Sequence, residues 1–183
     1  LWLHLSVMAK KYTGFDKAAT GKKEAVERFI VLMKRRWGFQ NLGSWNVRLM
    51  RSAPKGMKIG DPGAEKFMSV HATARAVDLG FSYDRQGIEA ARQAIAWLTS
   101  PEVVAALDIE EVHDYSAVSN PNHPTAKKWG RGWRIGRGWK EWTADDNGGT
   151  PMGRWIHAEL GPDSSDLPAD ELEKRFRSLP KPA

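Results

Sequence analysis

The stretch Ser69-Val70-His71-Ala72-Thr73-Ala74-Arg75-Ala76-Val77-Asp78 offers an imidazole and a carboxylate seven positions apart, with mostly small residues between them. Imidazole nitrogen and carboxylate oxygen together are a donor mix that suits zinc. The segment changes character part-way. Its first residues are loop-like, and Ala76-Val77-Asp78-Leu79-Gly80-Phe81-Ser82 then alternates as a strand entering a core. A histidine on a loop and an aspartate at the start of a strand can be aimed at one point, and a third ligand would have to come from far along the chain. Trp155-Ile156-His157-Ala158-Glu159-Leu160 supplies one: alternation puts Trp155, His157 and Glu159 on one face and Ile156, Ala158 and Leu160 on the other. Two imidazoles and one carboxylate leave a fourth zinc position for water, the pattern of a catalytic site as opposed to a closed structural one. The plain alternative for each histidine alone is a hydrogen-bonded structural residue.

These residues resemble the motifs of the zinc peptidases of the D-Ala-D-Ala carboxypeptidase superfamily. That group includes the VanY-like carboxypeptidases and the L-alanyl-D-glutamate endopeptidases that phages use as endolysins. Ser69, His71, Ala76 and Asp78 match the first motif, and Ala74 stands where the family usually has Gly. His157 matches the third ligand, and His-Ala-Glu-Leu is similar to the His-Phe-Glu-Leu ending of some members. The resemblance covers about residues 20 to 161. It implies Zn2+ held by His71, Asp78 and His157, bacterial peptidoglycan as partner, and hydrolysis of stem-peptide bonds by a metal-activated water. In the family a strand ending in Arg-Ser precedes the Ser-x-His motif, and its arginine stabilises the developing oxyanion. Arg51-Ser52 fits that place, with Arg48 as competitor and an ordinary surface arginine as the plain reading. The chain departs from the family at the general base, usually a Glu or Asp three residues before the last His. Arg154 stands there, and an arginine cannot accept a proton near neutral pH. Asp146 ranks first as a substitute; Asp145, Glu111 and Glu159 are the other candidates, although the resemblance gives Glu159 no catalytic role.

Positioning these groups requires a sheet and helices to cover it. Thr20-Gly21-Lys22-Lys23-Glu24 reads as a helix start, and Ala25, Val26, Phe29, Ile30, Leu32 and Met33 then form a helical stripe to Trp37, stopped by Gly38. Residues 45–52 read as a strand. Asp84 caps a helix from Arg85 to Thr99, and Pro101 opens a short one through Leu107. Residues 109–115 read as a strand; His113 and Asp114 invite a metal role, and the plainer reading is a polar outward face of the sheet. Residues 116–153 are polar and irregular, with Gly130-Arg131-Gly132-Trp133 repeated as Gly136-Arg137-Gly138-Trp139. They read as a short hairpin whose indoles cover the sheet, compatible with a cleft-lining role. The expected fold is α+β, a small antiparallel sheet bearing a zinc site, with helices 20–37 and 85–100 packed on one side. Residues 1–19 read as an N-terminal extension, 20–161 as the peptidase-like domain and 162–183 as a tail with a short helix. Residues 1–7 precede Met8-Ala9-Lys10-Lys11, which reads like a natural initiation.

With 183 residues and 41% hydrophobic side chains, one domain with a real core is expected. The absence of cysteine excludes disulfides and Cys-ligated zinc and suits a reducing compartment. No apolar run spans a bilayer. Residues 1–60 hold 13 Lys or Arg against 3 Asp or Glu, whereas residues 61–183 hold 15 against 19. A basic first third favours polyanions such as nucleic acid, anionic membranes or a teichoic-acid-rich wall, unless it is simply a solvated helix face. No secretory signal pattern is visible. The leading expectation is a phage endolysin, made in host cytoplasm and released to the wall or carried in a virion. A wall-binding or phage structural relative without efficient catalysis is the alternative that Arg154 supports. A nucleic-acid-binding domain is a second alternative, resting on the basic first third and the Arg/Trp segment, with no recognisable nucleic-acid motif.

Overall fold

The computed structural model describes residues 10–119, 129–142 and 152–181. Its organising feature is a six-stranded antiparallel sheet. In chain order the strands are β1 (Gln40–Gly43), β2 (Ala76–Gly80), β3 (Ile109–Asp114), β4 (Arg131–Arg134), β5 (Gly138–Glu141) and β6 (Trp155–Leu160). Their spatial order is β1-β2-β6-β3-β4-β5, so the last strand inserts between β2 and β3. The α-helices among the described residues are α1 (Glu24–Trp37), α2 (Arg85–Leu98), α3 (Pro101–Leu107), α4 (Pro162–Ser165) and α5 (Ala169–Ser178). Among the described residues no helix is long and apolar enough to cross a membrane.

Alternation decides which sheet face is covered. Val77 and Leu79 of β2, Val112 of β3 and Ile156, Ala158 and Leu160 of β6 are all at most 1% exposed and join one apolar cluster. Phe29, Ile30 and Met33 of α1 and Ala91, Ala94, Ile95 and Leu98 of α2 close over them. Burying one such Ile or Leu side chain contributes about 1.5–3 kcal/mol, which fixes the register because a one-residue slip would turn every ligand-bearing position into the core. The opposite face carries Asp78, Glu111, His113, His157 and Glu159.

Helix ends follow local chemistry. Glu24 and Glu27 sit in the first turn of α1 and Lys34, Arg35 and Arg36 in its last, complementing the dipole. Gly38 ends it in the left-handed conformation, φ 77°, its N–H donating to the Lys34 carbonyl. The start differs from the expectation at Thr20. The N-cap is Lys23, without a side-chain cap, and Ala19 N–H instead donates to Ala72 O at 2.8 Å, which holds that stretch extended. Asp84 caps α2 as expected, accepting from Gly87 N–H at 2.7 Å.

Residues 45–52 are a correction. They do not form a strand of the sheet; they make one isolated bridge, Leu49 to Met68. Met50 N–H donates to Phe67 O, Ser69 N–H to Arg48 O and Asn46 N–H to His71 O. The segment's extended pattern is therefore spent on bracing the loop ahead of β2. The edge strand beside β2 is β1, whose four mostly exposed residues give little periodic signal. The expected hairpin is present as β4–β5, with Trp133 opposite Trp139. Trp142 closes over Gly132, where a Cβ would lie 2.2 Å from the indole, so only glycine fits there.

Candidate metal centre

His71, the first candidate ligand, is set by a 3-10 turn, Val70–Thr73, which Ser69 caps by accepting from the His71 N–H at 3.4 Å. The turn ends at Ala74, whose φ of 55° is left-handed. That conformation costs an alanine roughly 1–2 kcal/mol and a glycine little, which explains physically why this position favours Gly. It reverses the chain so that Arg75 and β2 follow at once. Asp78 then projects from the middle of β2, and His157 lies directly opposite it on β6.

His71, Asp78 and His157 each offer one ligand atom, and these atoms all lie within 4.8 Å of one another, so the group could hold a metal ion. Asp78 Oδ2 is 3.2 Å from His71 Nε2, and Asp78 Oδ1 is 2.9 Å from His157 Nδ1. His71 and His157 are 5% and 7% exposed. On its other side His157 Nε2 meets Glu159 Oε1 at 3.0 Å. Both ring nitrogens of His157 thus face carboxylates, which only accept when ionised. Such an arrangement requires a positive charge on the ring or beside it. Burial by itself lowers the His157 pKa, but the carboxylates of Asp78 and Glu159 outweigh it and raise it to about 10. Burial likewise raises the Asp78 carboxyl, and the hydrogen bonds from His157 and His71 overcome that and hold it well below the usual carboxylate range. A divalent ion held by His71, Asp78 and His157 would satisfy the same demand, with Glu159 left to accept a proton from the His157 ring. The donor set therefore fits a metal, behind which Glu159 would be the carboxylate that orients His157.

Comparison with protein-family models, with curated proteins and with solved structures finds no match. The site's meaning rests on its own geometry.

Register extends the site across the sheet. The row Asp78, His157, His113, Gly132 runs through β2, β6, β3 and β4, and beside it runs Ala76, Glu159, Glu111, Arg134. The His113 ring is 5.0 Å from that of His157 and 4.9 Å from that of Trp142. Its Nδ1 lies 3.1 Å from the Tyr115 hydroxyl. Its Nε2 is buried and 3.0 Å from Glu111 Oε1, an ion-pair distance without hydrogen-bond alignment. Arg134 clamps Glu111 with two bonds of 2.9 and 3.0 Å. Burial opposes ionisation of Glu111, but His113 and Arg134 prevail and keep it ionised. Tyr12 donates to Glu159 Oε2 at 2.7 Å, so the segment before residue 20 reaches into the site. Burial and the nearby Glu159 and Glu111 push its phenol far above the ordinary value.

These groups floor a cleft of about 500 Å3. Arg51 and its competitor Arg48 both line it, as does Ser52. Arg154 does not: its guanidinium lies over the Tyr83 ring, 5.1 Å from the centroid, and Tyr83 packs against the core. Asp145 and Asp146 lie outside the described residues. Of the other substitutes, Glu111 and Glu159 both reach the cleft, each already engaged. His113 and Asp114 diverge: His113 faces the cleft, while Asp114 is buried beneath Ser119, which donates to it from N–H and Oγ at 2.7 and 2.6 Å. The reading of residues 109–115 as an outward polar face misses this, although their alternation puts Glu111, His113 and Tyr115 together. Tyr12 and Arg134 are cleft residues that no local pattern announces.

If Glu159 orients His157, Glu159→Gln should weaken zinc affinity about 10- to 100-fold while leaving one zinc per chain at saturation. Competition with a chromogenic chelator measures this, and unchanged affinity would assign Glu159 a purely structural place.

Proposed function

We propose that the chain is a zinc-dependent peptidoglycan peptidase of the endolysin type. The observation that carries this reading is the His71–Asp78–His157 group, a three-donor set on the floor of an open cleft. Bound zinc supplies a nucleophilic water near neutral pH and polarises a peptide carbonyl. The protein's own groups divide the remaining work. Glu159 fixes the His157 ring. Arg51, with Arg48 beside it on the cleft wall, offers a cation to the oxyanion that develops on the carbonyl.

The proton carrier is His113. Glu111 is held ionised by Arg134, and Glu159 is spent on Tyr12 and His157. His113 stands next in the row to His157, its ring lining the cleft and its Nε2 facing the ionised Glu111 at 3.0 Å. It can take the proton of the attacking water and return it to the leaving amine, the service that Arg154 cannot give.

Purified peptidoglycan should lose turbidity on addition of the zinc-loaded protein, and new amino groups should appear. Chelation should stop both, and restored zinc should revive them. His113→Gln should lower turnover about 100-fold with zinc content unchanged. Arg154, turned away from the cleft, favours a second reading in which the protein binds wall without cutting it. Cosedimentation with peptidoglycan and no release of amino groups by zinc-loaded protein would select that reading.

A further inference from the structure

The helical side of the sheet holds a second concavity, of about 420 Å3, between the end of α1 and the end of α5. Arg36 is its centre. The guanidinium carbon lies 4.2 Å from the centroid of Phe176, 4.8 Å from Trp97 and 5.5 Å from Trp37. Three ring faces hold it as a cation–π cage. Arg36 Nη1 is buried and has no hydrogen-bond partner among the described residues. Buried polar atoms are nearly always satisfied, so this donor calls for an acceptor. Arg35, Arg177 and Lys181 line the same concavity, and among the described residues no carboxylate does. Arg177 is itself paired with Glu173 at 2.6 Å. Burial and the neighbouring Arg177 both lower the Arg36 pKa, the direction expected of a cation placed without a counter-ion. The last turn of α1 is thus more than a solvated basic face.

We propose that Arg36, with Arg35, Arg177 and Lys181, forms a phosphate-binding site on the helical side, for a phosphodiester polymer of polyol phosphate type. Guanidinium donors pair with phosphate oxygens through short charge-assisted bonds, and a caged arginine loses little freedom on doing so. The occupant is chosen by the rings. Single-stranded nucleic acid is held by bases stacked on free aromatic faces. Here those faces lie under the guanidinium, which leaves charge and hydroxyl contacts but no stacking platform. The site is independent of the metal centre and of any hydrolysis there.

Calorimetric titration of the full chain with inorganic phosphate, a poly(glycerol phosphate) chain and single-stranded DNA of equal phosphate count tests this. Saturable binding of the first two is expected, tighter for the polymer and weakened by salt. Arg36→Gln should reduce polymer affinity about 10- to 100-fold. The exposed pair Arg35→Gln and Lys181→Gln, combined in one chain, should reduce it by about tenfold and flatten the salt dependence. No saturable binding overturns the proposal, as does unchanged affinity in natively folded Arg36→Gln. Should Arg36→Gln fail to fold, unchanged affinity in the double variant overturns it equally. DNA bound as tightly as the polymer overturns the choice of occupant.

Discussion

His71→Ala and His157→Ala should each leave a chain that retains no zinc through gel filtration and hydrolyses wall peptides at a rate lower by about three orders of magnitude or more. Either substitution removes one of three donors that converge within 4.8 Å, and no fourth residue belongs to the group among the described residues. Stoichiometric zinc in either purified variant would remove that histidine from the ligand set. The metal-free wild type carries a further expectation. Its His157 pKa is raised to about 10 from an ordinary 6.5. A raised basic pKa means that the folded state binds the proton more tightly than the unfolded one. That stabilisation is complete below 6.5 and is lost as pH rises towards 10. Thermal unfolding of chelated protein should therefore weaken across that window, and His157→Ala should flatten the dependence. With zinc bound the sign reverses, because the ligands must be deprotonated and binding releases protons.

The three residues that could hold a metal come together from segments each marked by a local pattern in the sequence. His71 and Asp78 share one turn-then-strand segment, and His157 sits in a strand whose alternate residues are strongly apolar. The helices were legible for a similar reason: α1 and α2 carry unbroken apolar stripes with a glycine stop or an aspartate cap. Residues 45–52 misled because an extended stretch with alternating polarity pairs with a loop as readily as with a strand. β1 gives no signal because an edge strand of four mostly exposed residues, with Leu42 as its one apolar side chain, has no alternation to betray it. The groups around the ligands are a different matter. Arg134 meets Glu111, and His113 meets His157, only because β6 inserts between β2 and β3 and the hairpin lies beyond. Tyr12 arrives from a segment without regular structure. Cross-strand register over such distances is a property of the folded sheet, set by the whole core.

Arg75→Met should destabilise the protein by about 3–5 kcal/mol, a large part of the total stability of a small domain. Arg75 is 1% exposed and lies within the segment that joins His71 to Asp78. Its guanidinium donates to the Gly14 carbonyl, to Asp16 at 3.2 Å and to the Leu160 carbonyl at 3.4 Å. Glu110, which is 0% exposed, lies 3.6 Å away and accepts from the Thr13 hydroxyl and N–H. One side chain thus ties the segment before α1, the end of β6 and the start of β3 to the loop that carries His71. Its removal leaves Glu110 buried without its cation. Burial already raises the Glu110 pKa above its ordinary 4.5, against the lowering effect of Thr13 and Arg75, and loss of Arg75 raises it further. For an acid raised in the folded state, the folded form holds more protons, so stability falls as pH rises. The variant should therefore be weakest at neutral pH and recover as pH falls through the raised value towards 4.5, a trend that urea unfolding at several pH values resolves. Glu110→Gln added to Arg75→Met should restore part of the loss at neutral pH, since the buried charge is gone and the amide can still donate or accept. If the single and double variants are equally weak at every pH, the cost lies in the lost backbone contacts of Arg75, and Glu110 is not what the arginine is there to neutralise. In either case the zinc affinity of Arg75→Met should fall with stability, because the spacing of His71 and Asp78 is held by the residue that lies between them.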